Sequence, residues 1–308
     1  MTAFALLFLL PTTLAQGCRN ANNATITLPS QTVFQLAPSD NATFFENIVS
    51  RSNGDLLVTM VLPEPNIFLL QNPDSECPVL SPLISVPGVN GTDGIAEIAN
   101  RPDVFAVVAG NISLGGNPAN GVPNSWSVWE VDLTGGTNTT ANGAVSCALG
   151  ATVQPTVSAR KIADFPMAPR LNGLAAIPGT SAVLVGDSEL GVAFRLDTVT
   201  GEITTALDFP QMKPVSGAGS LDDALGLNGL KVGKDGFLYF TNAAARTISR
   251  VAILPDGSGP MPGATVETIA SVTSAGWMDD LDLKDDGSLW VTTNVSMNSK
   301  QRGKPRKS

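Results

Sequence analysis

The chain contains no histidine, only three cysteines and no apolar run long enough to cross a bilayer. Without histidine a Ser–His–Asp triad is impossible, and no Gly-x-Ser-x-Gly nucleophile elbow occurs either. The absence of Cys-x-x-Cys and Cys/His spacings argues against a zinc site. No long segment shows helical periodicity. Triad hydrolases, zinc proteins, helical bundles and membrane-spanning helices are therefore disfavoured from the start.

Basic residues are scarce outside the C-terminal end. The net charge is −9, yet five of the 18 basic residues lie in the last nine positions. The rest of the chain is therefore more acidic than the net charge indicates. Nucleic-acid binding needs a basic surface, so we expect no nucleic-acid partner. We expect residues 295–308 to form a basic, disordered tail, solvated rather than adhesive.

The N-terminal end and the sequons predict a secreted glycoprotein. Residues 1–15 combine an apolar run, Ala3–Leu10, with a small-residue exit, which indicates a signal peptide cut near Gln16. An extracellular compartment would favour one disulfide and one leftover thiol, with the pairing among Cys18, Cys77 and Cys147 left open. Six Asn-x-Ser/Thr sites are candidates for glycosylation: Asn23, Asn41, Asn90, Asn111, Asn138 and Asn294.

A short motif recurs five times along the chain: an acid or amide, a small or polar residue, then an aliphatic one. We call the first residue of each copy an opener; the openers are Glu46, Asp93, Asn172, Asn228 and Asp279. Three copies have a glycine eight positions on, in an Asn-Gly or Asp-Gly pair before a β-rich run, at Gly54, Gly236 and Gly287. Asn172 has a close variant with Gly179. Such pairs make tight hairpin turns, so each unit predicts strand, turn, strand.

The spacing of the openers predicts an all-β fold, a β-propeller. They lie 47, 79, 56 and 51 residues apart, close to the roughly 40–50 residues of one blade, with one long insertion. We assign residues 44–294 to the propeller and 16–43 to an N-terminal segment with a closing strand near Thr32–Leu36. Six blades are expected, but the strand pattern stops after Asn294, so the last blade is expected to be incomplete.

The openers also predict a cluster of oxygen ligands. The first strand of each blade lines the central channel, so equivalent residues converge on one axis. Carboxylates and amide carbonyls suit a hard cation such as Ca²⁺, and without a cation two facing carboxylates would repel each other. The alternative is that these residues serve only in turns, but their recurrence in phase with the strands favours the channel.

The openers and the strands that follow them resemble the SMP-30/gluconolactonase-like six-bladed propellers. The resemblance covers Phe44 to about Asn294 and implies a divalent cation, expected to be Ca²⁺, held by Glu46, Asn172, Asn228 and Asp279. It implies that Asp93, from the intervening blade, is an extra ligand or a water holder.

Within that superfamily the motifs are most similar to a secreted fungal branch that includes hetero-Diels–Alderases. The stretches that carry this closer resemblance are Phe45–Gly54, Ser127–Leu133 and Trp277–Leu281. It implies an enzyme of fungal secondary metabolism that joins a quinone-methide-type diene to an alkene in the channel.

Three functions remain open at this stage. A pericyclase needs positioning and a hydrogen-bond donor rather than a nucleophile. A metal-dependent lactonase or esterase would use Asp279 or Asp93 as its base, and the third possibility is a non-catalytic binding propeller. We expect the partner to be a small molecule, whose identity the sequence does not reveal. The sequence does not reveal the oligomeric state either. The candidate substrate-binding residues are Trp277, Met278, Asp280 and Trp129, with Trp126 as a further wall residue; for the tryptophans the alternative is ordinary sheet packing.

Overall fold

The computed structural model describes residues 7–8, 31–36, 43–113, 121–139, 153–215, 225–272 and 277–294, with only the backbone for 7–8, 137–139, 153–154 and 294. These residues form β-strands joined by turns and loops, and the one helical element among them is a 3₁₀ turn at Pro210–Met212. The predicted all-β, propeller-like architecture is confirmed. No helix in these ranges is long and apolar enough to span a membrane.

The first strands lie outside the blades. β1 (Leu7–Phe8) pairs antiparallel with β2 (Gln31–Thr32) in a two-stranded sheet. Residues 33–36 are not in a strand, so the predicted closing strand over Thr32–Leu36 is not seen in the described part of the chain.

Two antiparallel four-stranded sheets form the first half of the propeller. Blade 1 has the order β3-β4-β5-β6, with β3 (Phe44–Ser50), β4 (Leu56–Leu62), β5 (Asn66–Gln71) and β6 (Val79–Ser85). Blade 2 contains β7 (Gly91–Glu97), β8 (Val104–Gly110) and β9 (Ser127–Asp132), then a small hairpin of β10 (Thr137–Thr139) and β11 (Val153–Pro155), and finally β12 (Ser158–Asp164), which pairs with β9.

Two more four-stranded sheets follow in simple chain order. Blade 3 consists of β13 (Leu171–Ala176), β14 (Ala182–Asp187), β15 (Val192–Asp197) and β16 (Ile203–Leu207). Blade 4 consists of β17 (Leu227–Val232), β18 (Phe237–Asn242), β19 (Thr247–Ala252) and β20 (Glu267–Ser271).

The fifth sheet has two strands, β21 (Trp277–Leu283) and β22 (Leu289–Asn294). The prediction of six blades is therefore wrong for the described residues, which form four complete blades and this two-stranded sheet. The fifth opener, Asp279, starts a normal inner hairpin. The other four sheets each have two further, outer strands. The described ranges, which end at Asn294, contain no such strands for the fifth sheet.

The predicted hairpin turns are confirmed by the backbone. Gly54, Gly179, Gly236 and Gly287 all have positive φ, between 76° and 90°. Each of them joins the first strand of its sheet to the second. An L-residue rarely adopts this conformation, so glycine is needed where the chain reverses.

The hydrophobic core lies between neighbouring sheets. One cluster of buried side chains lies between blades 2 and 3 and includes Val108, Trp126 and Phe194. A second lies between blades 3 and 4, and a third between blades 1 and 2. Every residue of β8 and β14 is buried, because sheets cover both of their faces.

Candidate functional site

Each inner strand carries the same irregularity at its opener. In β3, Phe45 pairs with Met60 and Ile48 with Val58, so Glu46 and Asn47 together face the single residue Thr59. The same two-against-one bulge contains the other four openers and the residue after each, which are Asp93-Gly94, Asn172-Gly173, Asn228-Gly229 and Asp279-Asp280. Bulges re-aim side chains and are common beside active sites. The sequence repeat therefore encodes five equivalent bulges.

On one side of the ring the bulges touch through their backbones. A Cβ atom added to Gly94 would lie 2.3 Å from the backbone oxygen of Asn172, and one added to Gly173 would lie 2.1 Å from that of Asn228. A Cβ on Gly229 would lie 2.5 Å from a carboxylate oxygen of Asp280. Glycine follows these three openers because the next inner strand leaves no room for a side chain.

The other side of the ring is joined by side chains. Nδ2 of Asn47 donates to Oδ2 of Asp280 over 2.8 Å, which links the first inner strand to the last. Both residues occupy the second bulge position, and each uses its Oδ1 to accept from the next backbone N–H, at Ile48 and Leu281. Asp280, predicted as a substrate contact, is thus engaged in a contact that closes the ring.

Threonines opposite three of the bulges hold the backbone there. Thr241 accepts from the N–H of Gly229 at 2.9 Å and donates to the carbonyl oxygen of Asp279 at 2.6 Å, which ties blade 4 to the fifth sheet. Thr59 accepts from the N–H of Asn47 at 3.0 Å, and Thr292 donates to the carbonyl oxygen of Asp280 at 3.1 Å.

Three opener carboxylates act on one another electrostatically. Burial raises the pKa of Glu46 well above its usual value, and repulsion by Asp93 and Asp279 adds to the shift. Burial likewise raises the pKa of Asp279 to about 7, with Asp280 and Asp93 as the neighbouring charges, while a hydrogen bond from Asn228 lowers it. The pKa of Asp93 rises to about 6, again chiefly through burial. These three carboxyl groups are therefore close enough to shift one another's pKa, while their predicted role as ligands stays a prediction.

Exposure separates the openers into two groups. Asp93, Asn172 and Asn228 are buried, whereas Glu46 and Asp279 keep partial exposure. Burial is nevertheless the main cause of the raised pKa of both of these carboxyl groups.

The donor set resembles what a hard cation needs. Glu46 and Asp279 supply carboxylates, and Asn172 and Asn228 supply amide oxygens, which are ligands that Ca²⁺ accepts. Mutual repulsion between the carboxylates, seen in their raised pKa values, is the electrostatic condition that a cation would relieve. Within the described ranges, however, no three or more Asp, Glu, Cys or His side chains form a group that could hold a metal. A site here would depend on the two amides, and the metal stays a prediction.

Sequence reasoning missed Arg170, the residue just before β13. Its side chain is 7% exposed, its guanidinium lies 5.5 Å from the centre of the Trp126 ring, and its Nη2 is 3.5 Å from Oδ2 of Asp93. Its positive charge lowers the pKa of Glu46, Asp93 and Asp279 alike. One feature of the sequence could have revealed it, since no other basic residue lies within two positions of an opener.

The predicted wall residues divide between the channel and the core. Trp277 is part-exposed two positions before Asp279, whereas Met278 is buried at 1% exposure. Trp129 lies on β9, the third strand of its blade, where its Nε1 donates to Ser127 and it packs in the core between blades 1 and 2. Trp126 is buried and donates to the carbonyl oxygen of Pro169. The structure brings Trp277 to the ring and leaves Trp129 away from it.

The features predicted for secretion are only partly within the described chain. Cys77 is disulfide-bonded, while Cys18 and Cys147 lie outside the described residues. Asn90 uses both side-chain atoms on the backbone of Ile112, at 3.0 and 2.8 Å, and Asn111 is part-buried. Asn23 and Asn41 lie outside the described residues, and Asn138 and Asn294 are described by backbone alone.

No protein-family model matches the chain. Two curated proteins are similar to it over most of its length, and both carry the name "Putative hetero-Diels-Alderase". One, from Phoma sp., is 28% identical over 289 residues, which cover 88% of this chain and 74% of the relative. The other, from Sarocladium schorii, is 27% identical over 309 residues, covering 92% of this chain and 70% of the relative. The resemblance inferred from the sequence motifs is confirmed.

Solved structures of the same fold include a luciferin-regenerating enzyme. It aligns with a TM-score of 0.51 at 12% identity, covering 85% of this chain and 74% of that chain. A calcium-binding regucalcin from Agrobacterium tumefaciens aligns with a TM-score of 0.48 at 12% identity, covering 80% of this chain and 66% of that chain. At such identities the first of these similarities supports the fold and nothing finer.

Proposed function

We propose that this chain is an enzyme of the hetero-Diels–Alderase type, which joins a quinone-methide-type diene to an alkene in the channel of the propeller. The observation that carries the proposal is the similarity to two proteins of that name over 88% and 92% of the chain. The channel bounded by the five bulges is where we place the reaction.

A cycloaddition suits what this channel contains. The reaction needs no nucleophile and no proton shuttle, so a chain without histidine can support it. Holding the two reactants at near-attack distance is worth roughly 7–11 kcal/mol at best. A hydrogen-bond donor fixed beside the electron-poor reactant adds to this. The part-exposed Trp277, two positions before Asp279 on the inner strand, offers an apolar wall.

The direct test is product formation from a quinone-methide precursor and a cyclic alkene, with and without protein. We expect the protein to raise the rate or to change the ratio of stereoisomers. Trp277→Ala should weaken that control, whereas Trp290→Ala, a part-exposed tryptophan on the second strand of the same sheet, should leave it intact. A rate and product ratio equal to the uncatalysed background for folded protein would refute the proposal.

A metal-dependent lactonase or esterase is the second candidate, favoured by one observation. Asp279 and Asp93 have pKa values raised to about 7 and about 6, close to what a general base at neutral pH needs. Hydrolysis of a lactone panel should then fall about 10²–10⁴-fold in Asp279→Asn. A cycloaddition governed by shape would lose far less in that variant, which separates the two candidates. Inactivity in both assays together with loss of cation binding would favour the third candidate, a non-catalytic binding propeller.

We also propose that Glu46, Asn172, Asn228 and Asp279 hold a divalent cation, Ca²⁺ for preference. Such an ion would supply a Lewis acid that polarises a bound carbonyl oxygen. Bound metal stabilises by mass action, by about 2.7 kcal/mol at a concentration of 100 Kd. We expect the melting temperature to rise with Ca²⁺ and fall with EDTA, and this response to disappear in Asn172→Ala. A melting temperature that ignores both reagents would contradict the metal site.

The last part of the proposal is that the protein enters the secretory pathway. The disulfide at Cys77 supports it, because disulfides persist in oxidising compartments. Intact-mass analysis of protein purified from a culture medium should show cleavage near Gln16 and a mass loss on enzymatic deglycosylation. A full-length, unmodified chain retained in cells would contradict this part.

A further inference from the structure

Two buried groups next to the channel have hydrogen-bonding capacity that no described residue uses. Nε and Nη1 of Arg170 are shielded from water and have no hydrogen-bond partner among the described residues, and the same is true of Oδ1 of Asp93. The two side chains meet only through the long Nη2–Oδ2 contact of 3.5 Å. Buried polar atoms are nearly always paired, so each exception calls for a partner.

The pair is held in place by its surroundings. The guanidinium lies over the indole of Trp126, and the backbone N–H of Arg170 donates to Oδ2 of Asp187 at 3.1 Å. Asp93 sits in the bulge of β7, with Gly94 packed against the backbone of Asn172. Because both side chains are fixed, the unused donors and the unused acceptor keep a constant position relative to each other.

Electrostatics restricts what can bind there. Asp93 lies against Arg170 and balances its charge, so the pair by itself favours neither an anion nor a cation. A neutral group that both accepts and donates a hydrogen bond would satisfy the atoms on both side chains.

We infer that Arg170 and Asp93 form a binding site for a neutral carbonyl group that carries an adjacent O–H or N–H. The carbonyl oxygen accepts from the guanidinium, and the neighbouring donor is bound by Oδ1 of Asp93. The inference deepens the proposed function by naming the substrate group that the channel recognises. Arg170 is then the fixed donor that makes a bound carbonyl compound more electron-poor.

Two small lactams provide a test that does not depend on catalysis. 2-Pyridone has a carbonyl and an adjacent N–H, whereas N-methyl-2-pyridone keeps the carbonyl and lacks the donor. Ligands this small make few contacts, so we expect weak binding and titrate both up to their solubility limit. By ligand-observed NMR with the whole chain, we expect 2-pyridone to bind about tenfold or more tightly than its N-methyl derivative, since a hydrogen bond to a charged group is lost.

Variants locate the binding within the ring. Arg170→Lys keeps the charge and loses the planar set of donors, so it should weaken 2-pyridone binding about tenfold or more. Arg250→Lys is the matched control, because Arg250 also stacks on an aromatic ring, at 4.7 Å from the Phe237 centroid, but at the surface. Binding in this control should equal that of the parent chain.

The outcomes are distinct even if one variant fails to fold. Equal binding of the two lactams to the parent chain, or no binding at their solubility limit, would mean that enclosed water satisfies the orphan atoms, and the inference would fail. Unchanged 2-pyridone binding in folded Arg170→Lys would also overturn it. The binding experiment measures no turnover. A negative cycloaddition assay therefore does not contradict lactam binding at Arg170 and Asp93, and a positive one does not demonstrate it.

Discussion

The two sides of the ring of bulges are built differently. From Asp93 to Asn228 each opener is followed by glycine, and neighbouring inner strands touch backbone to backbone. Between the last inner strand and the first, the same position carries Asp280 and Asn47, and a single side-chain hydrogen bond of 2.8 Å spans the junction. On the glycine side, steric contact fixes the distance between neighbouring inner strands. On the acid–amide side, that distance depends on polar side chains, whose charge and hydrogen bonding can change.

The largest effect should follow from filling the glycine side. Gly173→Ala places a methyl group about 2.1 Å from the backbone oxygen of Asn228, which cannot move without its strand. We expect a loss of about 3 kcal/mol or more in the free energy of unfolding, measured with urea. Gly259→Ala is the control, because its nearest neighbour is 3.8 Å away and its φ is not positive. Equal stability of the two variants would mean that the inner strands are not in contact as described.

The opener carboxylates should make stability depend on pH. Burial raises the pKa of Asp279 from 3.8 to about 7 and that of Asp93 to about 6, so between about pH 4 and pH 7 the folded chain holds more protons than the unfolded one. The free energy of unfolding of metal-free protein should fall as pH rises through this window. The decrease should be up to about 1.4 kcal/mol per pH unit for each of the two carboxyl groups.

Two variants check the origin of that slope. Asp279→Asn removes one titrating group and should flatten the dependence, whereas Asp164→Asn removes an exposed carboxylate and should not. The measurement is urea unfolding across the window in the presence of a chelator. Stability that rises with pH there, or an unchanged slope in Asp279→Asn, would contradict the assignment.

A matched pair of threonines compares a buried bulge contact with an exposed one. Thr241→Val leaves the N–H of Gly229 and the carbonyl of Asp279 without their partner, which should cost about 1–3 kcal/mol. Thr292→Val removes an equivalent but exposed contact and should stay within about 0.5 kcal/mol. Thermal unfolding of the two variants side by side makes the comparison. Equal losses would show that both junctions are equally closed to water.

The smallest effect concerns the polar junction itself. A double-mutant cycle on Asn47→Ala and Asp280→Ala should give a coupling energy of about 1 kcal/mol, as expected for a part-buried hydrogen bond. The same cycle on Asp280 and Thr59, which share no hydrogen bond among those described, is the control. Coupling near zero for the first pair would mean that the junction is held by other contacts.

Much of the fold could be predicted because it depends on short local patterns. Gly54, Gly179, Gly236 and Gly287 mark inner hairpins by residue type alone, since positive φ selects for glycine. The five openers could be placed on inner strands because they recur in phase with these turns. The outermost strands, such as β16 and β20, carry exposed and mixed residues, so no periodicity identified them.

The candidate site was predictable in its residues more than in its contacts. Recurrence brought out Glu46, Asp93 and Asp279, and their mutual effect on pKa is present. The Arg170–Asp93 pair spans 77 positions and depends on how two blades pack, which no local pattern reports. The sequence predicts Trp129 as a wall residue, but it packs in the core. The alternation of apolar and polar residues in its strand is compatible with either position, so the sequence could not distinguish them.

The bulges have a consequence for how this channel can change over evolutionary time. In a regular strand a side chain is paired with neighbours on the adjacent strands, but the extra residue of a bulge stands outside the ladder. Substituting Glu46 or Asn228 therefore leaves the register of its blade intact. Glu46 and Asp279, which are part-exposed, are the openers at which the ring can change in charge or size while the scaffold stays constant, whereas Asp93, Asn172 and Asn228 are buried.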